Sequence, residues 1–224
     1  MAPHTTPVIE TERLRLIRIW DTSLESEHLK WFHETWKDPV ATQWSLHGPT
    51  TTLLSSQSWF ETHLSTYDAI LYMVFEKPSP SSSTPYPGTL LGNIGLRTQA
   101  SGPTLPPFDP PSSSPQSTSP PILRSLGYSY LPSAWGRGVA TEAASAVLNA
   151  YREATREERE KGEVYYVEAV WGPENPASAR VLEKVGFRTV GEKREERVWL
   201  AGGGRRGWWW EGCIFDVWEG VLEC

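Results

Sequence analysis

The chain has 224 residues, a formal net charge of -6 and 38% hydrophobic residues. This length suits one large domain with a buried core, and the acidic balance argues against nucleic-acid binding, which favours basic surfaces. No apolar run reaches the roughly 18 residues of a membrane-spanning helix, and residues 1–14 lack the basic-then-apolar order of a secretory signal, so we expect a cytoplasmic protein.

The N-terminal half combines strand and helix patterns. Residues 8–19 alternate apolar and polar side chains and predict a half-buried first strand. Helical spacing follows in residues 24–36 and again in the shorter segment 55–64. Two apolar strands are predicted next, at residues 70–75 and 89–96.

Two stretches rich in proline and serine interrupt this pattern, at about residues 78–88 and 99–121. Their low apolar content cannot offset the entropy of ordering them, so they predict flexible loop insertions. Binding of a partner to a polyproline segment is the alternative reading. Strand-like sequence resumes after each stretch, which predicts a single domain spanning residues 1–224.

The second half contains the clearest helix of the sequence. A strand predicted at residues 125–131 leads into two glycines, and the apolar residues between Val139 and Tyr151 then have the spacing of a core-facing helix. A charged run carries this helix into solvent as far as Gly162. Residues 164–171 are rich in β-favouring side chains and predict a central strand.

A short helix is predicted next, at residues 175–187, with capping residues at both of its ends. Asn175 suits the N-cap, Pro176 the first helical position and Gly186 a left-handed C-terminal cap. Two further strands, at residues 189–200 and 208–218, are predicted to finish the chain.

Three segments carry a resemblance to a known family: ETERLRL at residues 10–16, GYSYLPSAWGRGVATEA at 127–143 and NPASARVLEKVGF at 175–187. Together they resemble the GNAT superfamily of N-acetyltransferases, and within it the Rim-type branch of ribosomal-protein N-terminal acetyltransferases. The resemblance covers the chain apart from the Pro/Ser stretches. It implies an α/β (α+β) fold with a mixed, centrally splayed β-sheet of about seven strands, flanked by about four helices.

The resemblance implies acetyl-CoA as co-substrate, with its pyrophosphate on the glycine loop. A helix N-terminus presents unpaired N–H groups and a partial positive charge, both of which suit a phosphate. The loop residues are Trp135, Gly136, Arg137, Gly138, Val139, Ala140 and Thr141. Trp135 stands where the family pattern has Gln or Arg, and Arg137 is either a phosphate contact or a solvated side chain.

The family likeness also assigns contacts to the rest of the cofactor. Tyr128, Ser129 and Tyr130 occupy the strand end whose backbone pairs with the pantetheine arm in the family. Asn175 would add a hydrogen bond to the cofactor, although its helix cap alone explains its presence.

Two departures from the family pattern leave the catalytic residues open. Leu182 stands where many members have a tyrosine that protonates the departing thiolate, and Val170 where others have a glutamate base. Glu168 lies on the same strand face as Val170 and is the candidate base. Ser178 is the candidate proton donor, directly or through water, with capping of the first helical turn as its alternative role. Positioning of an already deprotonated amine is a further route.

The sequence therefore predicts an acetyl-CoA-dependent N-acetyltransferase that acts on a primary amine, of a small molecule or a protein N-terminus, in a ternary complex. A non-catalytic acyl-CoA-binding sensor or scaffold of the same fold is the alternative. RNA binding has only residues 201–210 in its favour, and the net charge opposes it.

The remaining expectations concern metals and partners. Five histidines and two cysteines, Cys213 and Cys224, show no metal-ligand spacing and no disulfide framework, so no metal is expected. We also expect no nucleic-acid or membrane partner, and a monomer or homodimer.

Overall fold

The computed structural model describes residues 6–78, 85–98, 122–163, 165–172, 174–195 and 208–215, with side chains as far as residue 187. The Pro/Ser stretch at residues 99–121 lies outside the described residues, and so do residues 79–84 of the stretch at 78–88. The flexibility of both stretches therefore stays a prediction. The last residues of the two predicted C-terminal strands, 196–200 and 216–218, also lie outside them.

The described residues form one sheet with helices on both faces. The strands are β1 (Val8–Glu10), β2 (Leu14–Ile19), β3 (Ile70–Glu76), β4 (Thr89–Thr98), β5 (Ile122–Tyr130), β6 (Tyr165–Trp171), β7 (Arg188–Glu195) and β8 (Trp208–Phe215). The helices are α1 (Glu27–Trp36), α2 (Leu53–Ser65), α3 (Val139–Ala154), α4 (Arg156–Glu160) and α5 (Pro176–Lys184).

The strand order in the sheet is β1-β2-β3-β4-β5-β6-β8-β7. Neighbouring strands are antiparallel except β5 and β6, which are parallel, so the predicted mixed sheet is confirmed. The first predicted strand is two strands, because a turn closes when Leu14 N donates to Thr11 Oγ1 over 2.9 Å. The chain then folds back and pairs Val8 with Ile17.

The sheet opens at its centre, between β5 and β6. These strands pair from Ile122–Tyr165 as far as Leu126–Ala169. Beyond that point β5 continues against β4, and β6 continues against β8. Alternate backbone N–H and C=O groups of residues 127–130 therefore face a gap rather than a described strand, which confirms the predicted central splay.

Each face of the sheet has its own core. On one face, α3 and α5 cover a cluster that includes Leu126, Val167 and Ala169. On the other face, α1 and α2 cover a cluster that includes Ile19, Met73 and Phe75. Because side chains alternate along a strand, these two clusters fix which residues of β5 and β6 point to which helices.

Capping side chains set the helix ends, and they correct the predicted boundaries. Helix α1 begins at Glu27 rather than Leu24, because the Ser26 hydroxyl accepts a hydrogen bond from His28 N. The predicted long helix from Val139 is interrupted at Thr155, whose hydroxyl donates back to Tyr151 O over 3.0 Å. The short α4 follows, so the described residues contain five helices where about four were predicted.

His63 lies in the core between α1 and α2 and gives the fold a pH-dependent stability. It is 7% exposed, and its ring lies against those of Phe32, Trp36 and Trp59. Burial, with a smaller contribution from the positive charge of Arg97, lowers the pKa of His63 from 6.5 to about 3. The stabilisation by the neutral imidazole is therefore present above pH 6.5 and is lost as the pH falls towards 3.

We expect the His63→Phe variant to lose this dependence. From pH 7 to pH 5, the free energy of unfolding of the unmodified protein should fall by about 2 kcal/mol more than that of the variant. Urea unfolding at both pH values measures the difference. If the free energy of unfolding falls equally for both proteins between pH 7 and pH 5, protonation of His63 is not coupled to unfolding.

Candidate active site

The glycine loop lies between β5 and α3, directly before the helix that the sequence predicts from Val139. Gly136 and Gly138 have φ angles of 70° and 77°, in the left-handed region that favours glycine. Gly138 is the N-cap residue of α3. A Cβ on Gly136 would meet no described atom within 4 Å, so the space beside this glycine is open.

The loop presents backbone N–H groups at the start of α3. The hydrogen bond from Glu142 N to Gly138 O, of 3.0 Å, spans the first helical turn. The N–H groups of Val139, Ala140 and Thr141 precede it and have no intrahelical acceptor. Together with the helix dipole, these donors can bind an anion.

Two loop side chains are held by the protein itself. The Trp135 indole donates to Tyr130 O over 2.9 Å and fixes the loop to the end of β5. The Arg137 guanidinium pairs with Glu76 and donates to Ser133 O. Arg137 is thus paired within the protein although its side chain is 40% exposed, and its contact with a phosphate stays a prediction.

A group that the sequence reading missed lies against the same loop. In the turn between β1 and β2, Arg13 forms an ion pair of 2.6 Å with Glu142 in the first turn of α3. The Thr11 hydroxyl donates to the same carboxylate over 2.5 Å. Burial alone would raise the pKa of Glu142, but the hydrogen bonds from Thr11 and Arg13 outweigh it and lower that pKa. The ETERL segment carried the family likeness, but nothing in its pattern predicted this contact.

The three residues at the end of β5 differ in their surroundings. The half-buried Tyr128 hydroxyl donates to Ser178 Oγ over 3.1 Å, on the side of α5. Burial raises the pKa of Tyr128 to about 12, so this phenol stays protonated at neutral pH. Ser129 points to the other face and donates to Ala41 O over 2.7 Å, which ties the strand to the loop between α1 and α2. Tyr130 is buried, and burial raises its pKa.

Asn175 and Ser178 form the N-terminal cap of α5. Asn175 Oδ1 accepts from Ser178 N over 3.2 Å, which confirms the predicted cap. Asn175 Nδ2 donates to Ser178 Oγ, also over 3.2 Å. The Ser178 hydroxyl therefore lies between Asn175 and Tyr128, and the contact of Asn175 with a cofactor stays a prediction.

Glu168 is buried where the two central strands begin to separate. The residue is 1% exposed, and its cross-strand neighbour on β5 is Ser125. Val167 and Ala169 belong to the core under α3 and α5, so Glu168 points to the opposite face. A Cβ on nearby Gly127 would meet no described atom within 4 Å. The structure thus places Glu168 next to the opening of the sheet.

The two predicted catalytic residues lie on opposite faces of the sheet. Ser178 belongs to α5, on the face that α3 and α5 cover, whereas Glu168 points to the face of α1 and α2. They cannot act as one hydrogen-bonded pair. A mechanism that uses both needs them on different sides of the reacting atoms.

Neither a metal site nor a membrane helix is found in the part of the chain that is described. No group of three or more His, Cys, Asp or Glu residues there could hold a metal ion. No helix among these residues is long and apolar enough to cross a bilayer.

Comparison by sequence finds one family and no curated relative. The family model for the acetyltransferase (GNAT) domain matches residues 18–188. No curated protein matches the chain.

Solved structures share the fold at low identity. A GNAT-family acetyltransferase from Bacillus anthracis is 18% identical, with a TM-score of 0.60 over 95% of this chain and 99% of that one. A spermidine N-acetyltransferase from Vibrio cholerae, solved with CoA and spermine, is 13% identical, with a TM-score of 0.61 over 92% and 96%. The RimL ribosomal-protein alpha-N-acetyltransferase, solved with coenzyme A, is 16% identical, with a TM-score of 0.57 over 94% and 99%.

Proposed function

The chain belongs to the GNAT family of acetyltransferases, and from this we propose that it is an acetyl-CoA-dependent N-acetyltransferase. It moves the acetyl group to a primary amine by direct transfer in a ternary complex. We further propose that residues 1–224 act as one cytoplasmic domain, as a monomer or homodimer. The reaction requires no metal ion, because an uncharged amine attacks a thioester directly.

One observation carries the proposal: the N–H groups at the start of α3 follow closely in the chain after the end of β5, where β5 separates from β6. A diphosphate on residues 136–141 would be bound by backbone donors and the helix dipole. The attached pantetheine arm could then pair with the backbone groups of residues 127–130 that face the gap, apart from Tyr130 O, which Trp135 holds. One ligand that is both anionic and amide-containing satisfies both features.

In the mechanism that we propose, the acceptor amine approaches from the side of α1 and α2. Glu168 removes a proton from the amine as its nitrogen attacks the thioester carbonyl carbon. The tetrahedral adduct then collapses: the C–S bond breaks, the amide forms, and the CoA thiolate leaves. In the tetrahedral adduct the nitrogen and the sulfur are separate substituents of one carbon, so base and proton donor need not contact each other, and the separation of Glu168 and Ser178 is compatible with direct transfer.

Tyr128 is the group from which the thiolate can recover a proton. Its phenol is protonated at neutral pH, as an ordinary tyrosine is, with its pKa raised further by burial to about 12, and it is linked to Ser178 by a hydrogen bond of 3.1 Å. We propose that Ser178 donates to the thiolate, directly or through water, that Tyr128 replaces its proton, and that Tyr128 in turn regains a proton from solvent. This hydroxyl pair would take the place of the family tyrosine, because Leu182 at that position is buried in the core.

The acceptor is a small-molecule amine or a protein N-terminus. The solved neighbours include proteins named for each kind, a spermidine acetyltransferase and a ribosomal-protein acetyltransferase. Residues 10–16 and 127–143, which carry the Rim-type resemblance, do not choose between these two acceptors.

Calorimetric titration of the purified chain with acetyl-CoA, and separately with CoA, tests the proposal first. Binding of both, followed by transfer of labelled acetyl groups to an amine or peptide panel, is the expected result. Binding without transfer to any acceptor would favour the non-catalytic sensor or scaffold. Failure to bind either ligand would overturn the proposal.

A further inference from the structure

Arg13 connects the edge of the sheet to the glycine loop. Its guanidinium Nη1 donates to Arg137 O over 3.0 Å. Its Nε and Nη2 both contact Glu142 Oε2, at 2.8 Å and 2.6 Å. The Arg13 side chain therefore binds both the loop backbone and the first turn of α3, which follow Arg13 in the chain by more than a hundred residues.

The bond to Arg137 O determines where the next N–H group points. The carbonyl of Arg137 and the N–H of Gly138 belong to one planar trans peptide group, in which they point in opposite directions. Gly138, at φ 77°, lacks the Cβ that would otherwise limit rotation of this peptide. By binding the carbonyl on one side, Arg13 fixes the Gly138 N–H on the other.

Glu142 fixes Arg13 in turn. Its Oε1 accepts from the Arg13 backbone N over 3.1 Å, and from the Thr11 hydroxyl. Without Arg13, this carboxylate would be an unpaired negative charge in the first turn of α3, where it would repel a phosphate. The Arg13 side chain is still 47% exposed, so it does not simply fill the core.

We propose that Arg13 is a positioning residue for the diphosphate of the acyl donor: it orients the Gly138 N–H and neutralises Glu142 beside the anion. This inference rests on the proposed function. It adds a residue from the β1–β2 turn to a site otherwise built from the loop and helix alone.

Replacement of Arg13 by glutamine tests the inference through binding. We expect the Kd for CoA to rise roughly 30-fold, the size of loss expected when charge-assisted hydrogen bonds are removed. The kcat at saturating acetyl-CoA should stay within about twofold of the unmodified enzyme, because the transfer residues are untouched. S-acetylpantetheine, which has no diphosphate, should be used equally well by both proteins.

Arg15→Gln is the matched control, because it removes the same charge from a nearby position. Arg15 pairs with Glu10 and donates to Pro87 O, away from the glycine loop. We expect its Kd for CoA to be unchanged. If Arg13→Gln does not fold, Arg13→Lys keeps the positive charge beside Glu142 but has a single donor nitrogen in place of the fork that contacts both Glu142 and Arg137 O, and should raise the Kd roughly fivefold.

The outcomes separate the inference from the proposed function. If the unmodified chain fails to bind CoA, the proposed function falls. If it binds CoA and Arg13→Gln binds equally well, only the role of Arg13 is overturned. Equal losses with acetyl-CoA and S-acetylpantetheine, or a fall in kcat, would show that Arg13 is merely structural. If the Kd for CoA rises as much in Arg15→Gln as in Arg13→Gln, the effect comes from the change in net charge and not from the position of Arg13.

Discussion

Gly138→Val is expected to abolish measurable acetyl-CoA binding, with a Kd raised at least about 100-fold, while the chain still folds. Gly138 has a φ angle of 77°, and a left-handed conformation costs a residue with a Cβ about 1–2 kcal/mol. The new Cβ would also lie 3.4 Å from Arg13 Nη2. Valine relieves this strain by rotating the loop, which turns the N–H groups of the α3 N-terminus away from the diphosphate.

Gly162→Val is the control, because it introduces similar backbone strain at a position outside the proposed ligand site. Gly162 follows α4 and has a φ angle of 96°, and a Cβ added there would meet no described atom within 4 Å. Both variants should lose similar stability in thermal unfolding, whereas calorimetric titration should detect lost binding only for Gly138→Val. An unchanged affinity in that variant would remove the phosphate-loop assignment.

Glu168→Gln is expected to lower kcat about 100-fold and to leave the Kd for acetyl-CoA unchanged, because general-base catalysis contributes roughly 10²–10⁴-fold. Glutamine keeps the size of the buried side chain but cannot accept the proton of the attacking amine. Raising the assay pH should restore part of the lost rate, since more of the acceptor is then deprotonated by the solvent. Steady-state kinetics across pH, with calorimetric titration of acetyl-CoA, measure both quantities.

Glu160→Gln makes the same change at an exposed position at the end of α4 and should leave kcat unaltered. Ser178→Ala provides a second comparison and should lower kcat no more than about fivefold, because Tyr128 or water can still protonate the thiolate. If Glu168→Gln keeps the unmodified rate at every pH, Glu168 is not the base. The reaction would then depend on positioning an amine that arrives deprotonated.

If these variants behave as expected, the chain differs from the common family arrangement in both catalytic groups. The tyrosine position is occupied by Leu182, which the core requires, and a hydroxyl pair from β5 and α5 would replace it. The base would be Glu168, which lies two residues before Val170 on the same face of β6. A cofactor loop typical of the family, combined with displaced catalytic groups, explains why the sequence alone left the sensor alternative open.

The sequence determined the local elements, because their signals are local. Side-chain periodicity predicted the strands and helices, and Asn175 and Pro176 predicted the start of α5 because capping involves atoms within one turn. The left-handed cap at Gly186 was predicted for the same reason, since a positive φ is a property of a single residue, and Gly186 has a φ angle of 97°. Where a boundary was wrong, as at Ser26 and Thr155, a single side-chain hydrogen bond had moved or interrupted the helix.

Tertiary structure alone decided how these elements combine into a site. The contacts of Arg13 with Glu142, and of Arg137 with Glu76, join residues that are far apart in the chain. Glu168 was predicted on its strand, but only the packing of the sheet shows that it points away from Ser178. Such pairings depend on which elements become neighbours when the core is buried, and no periodicity or short motif encodes that choice.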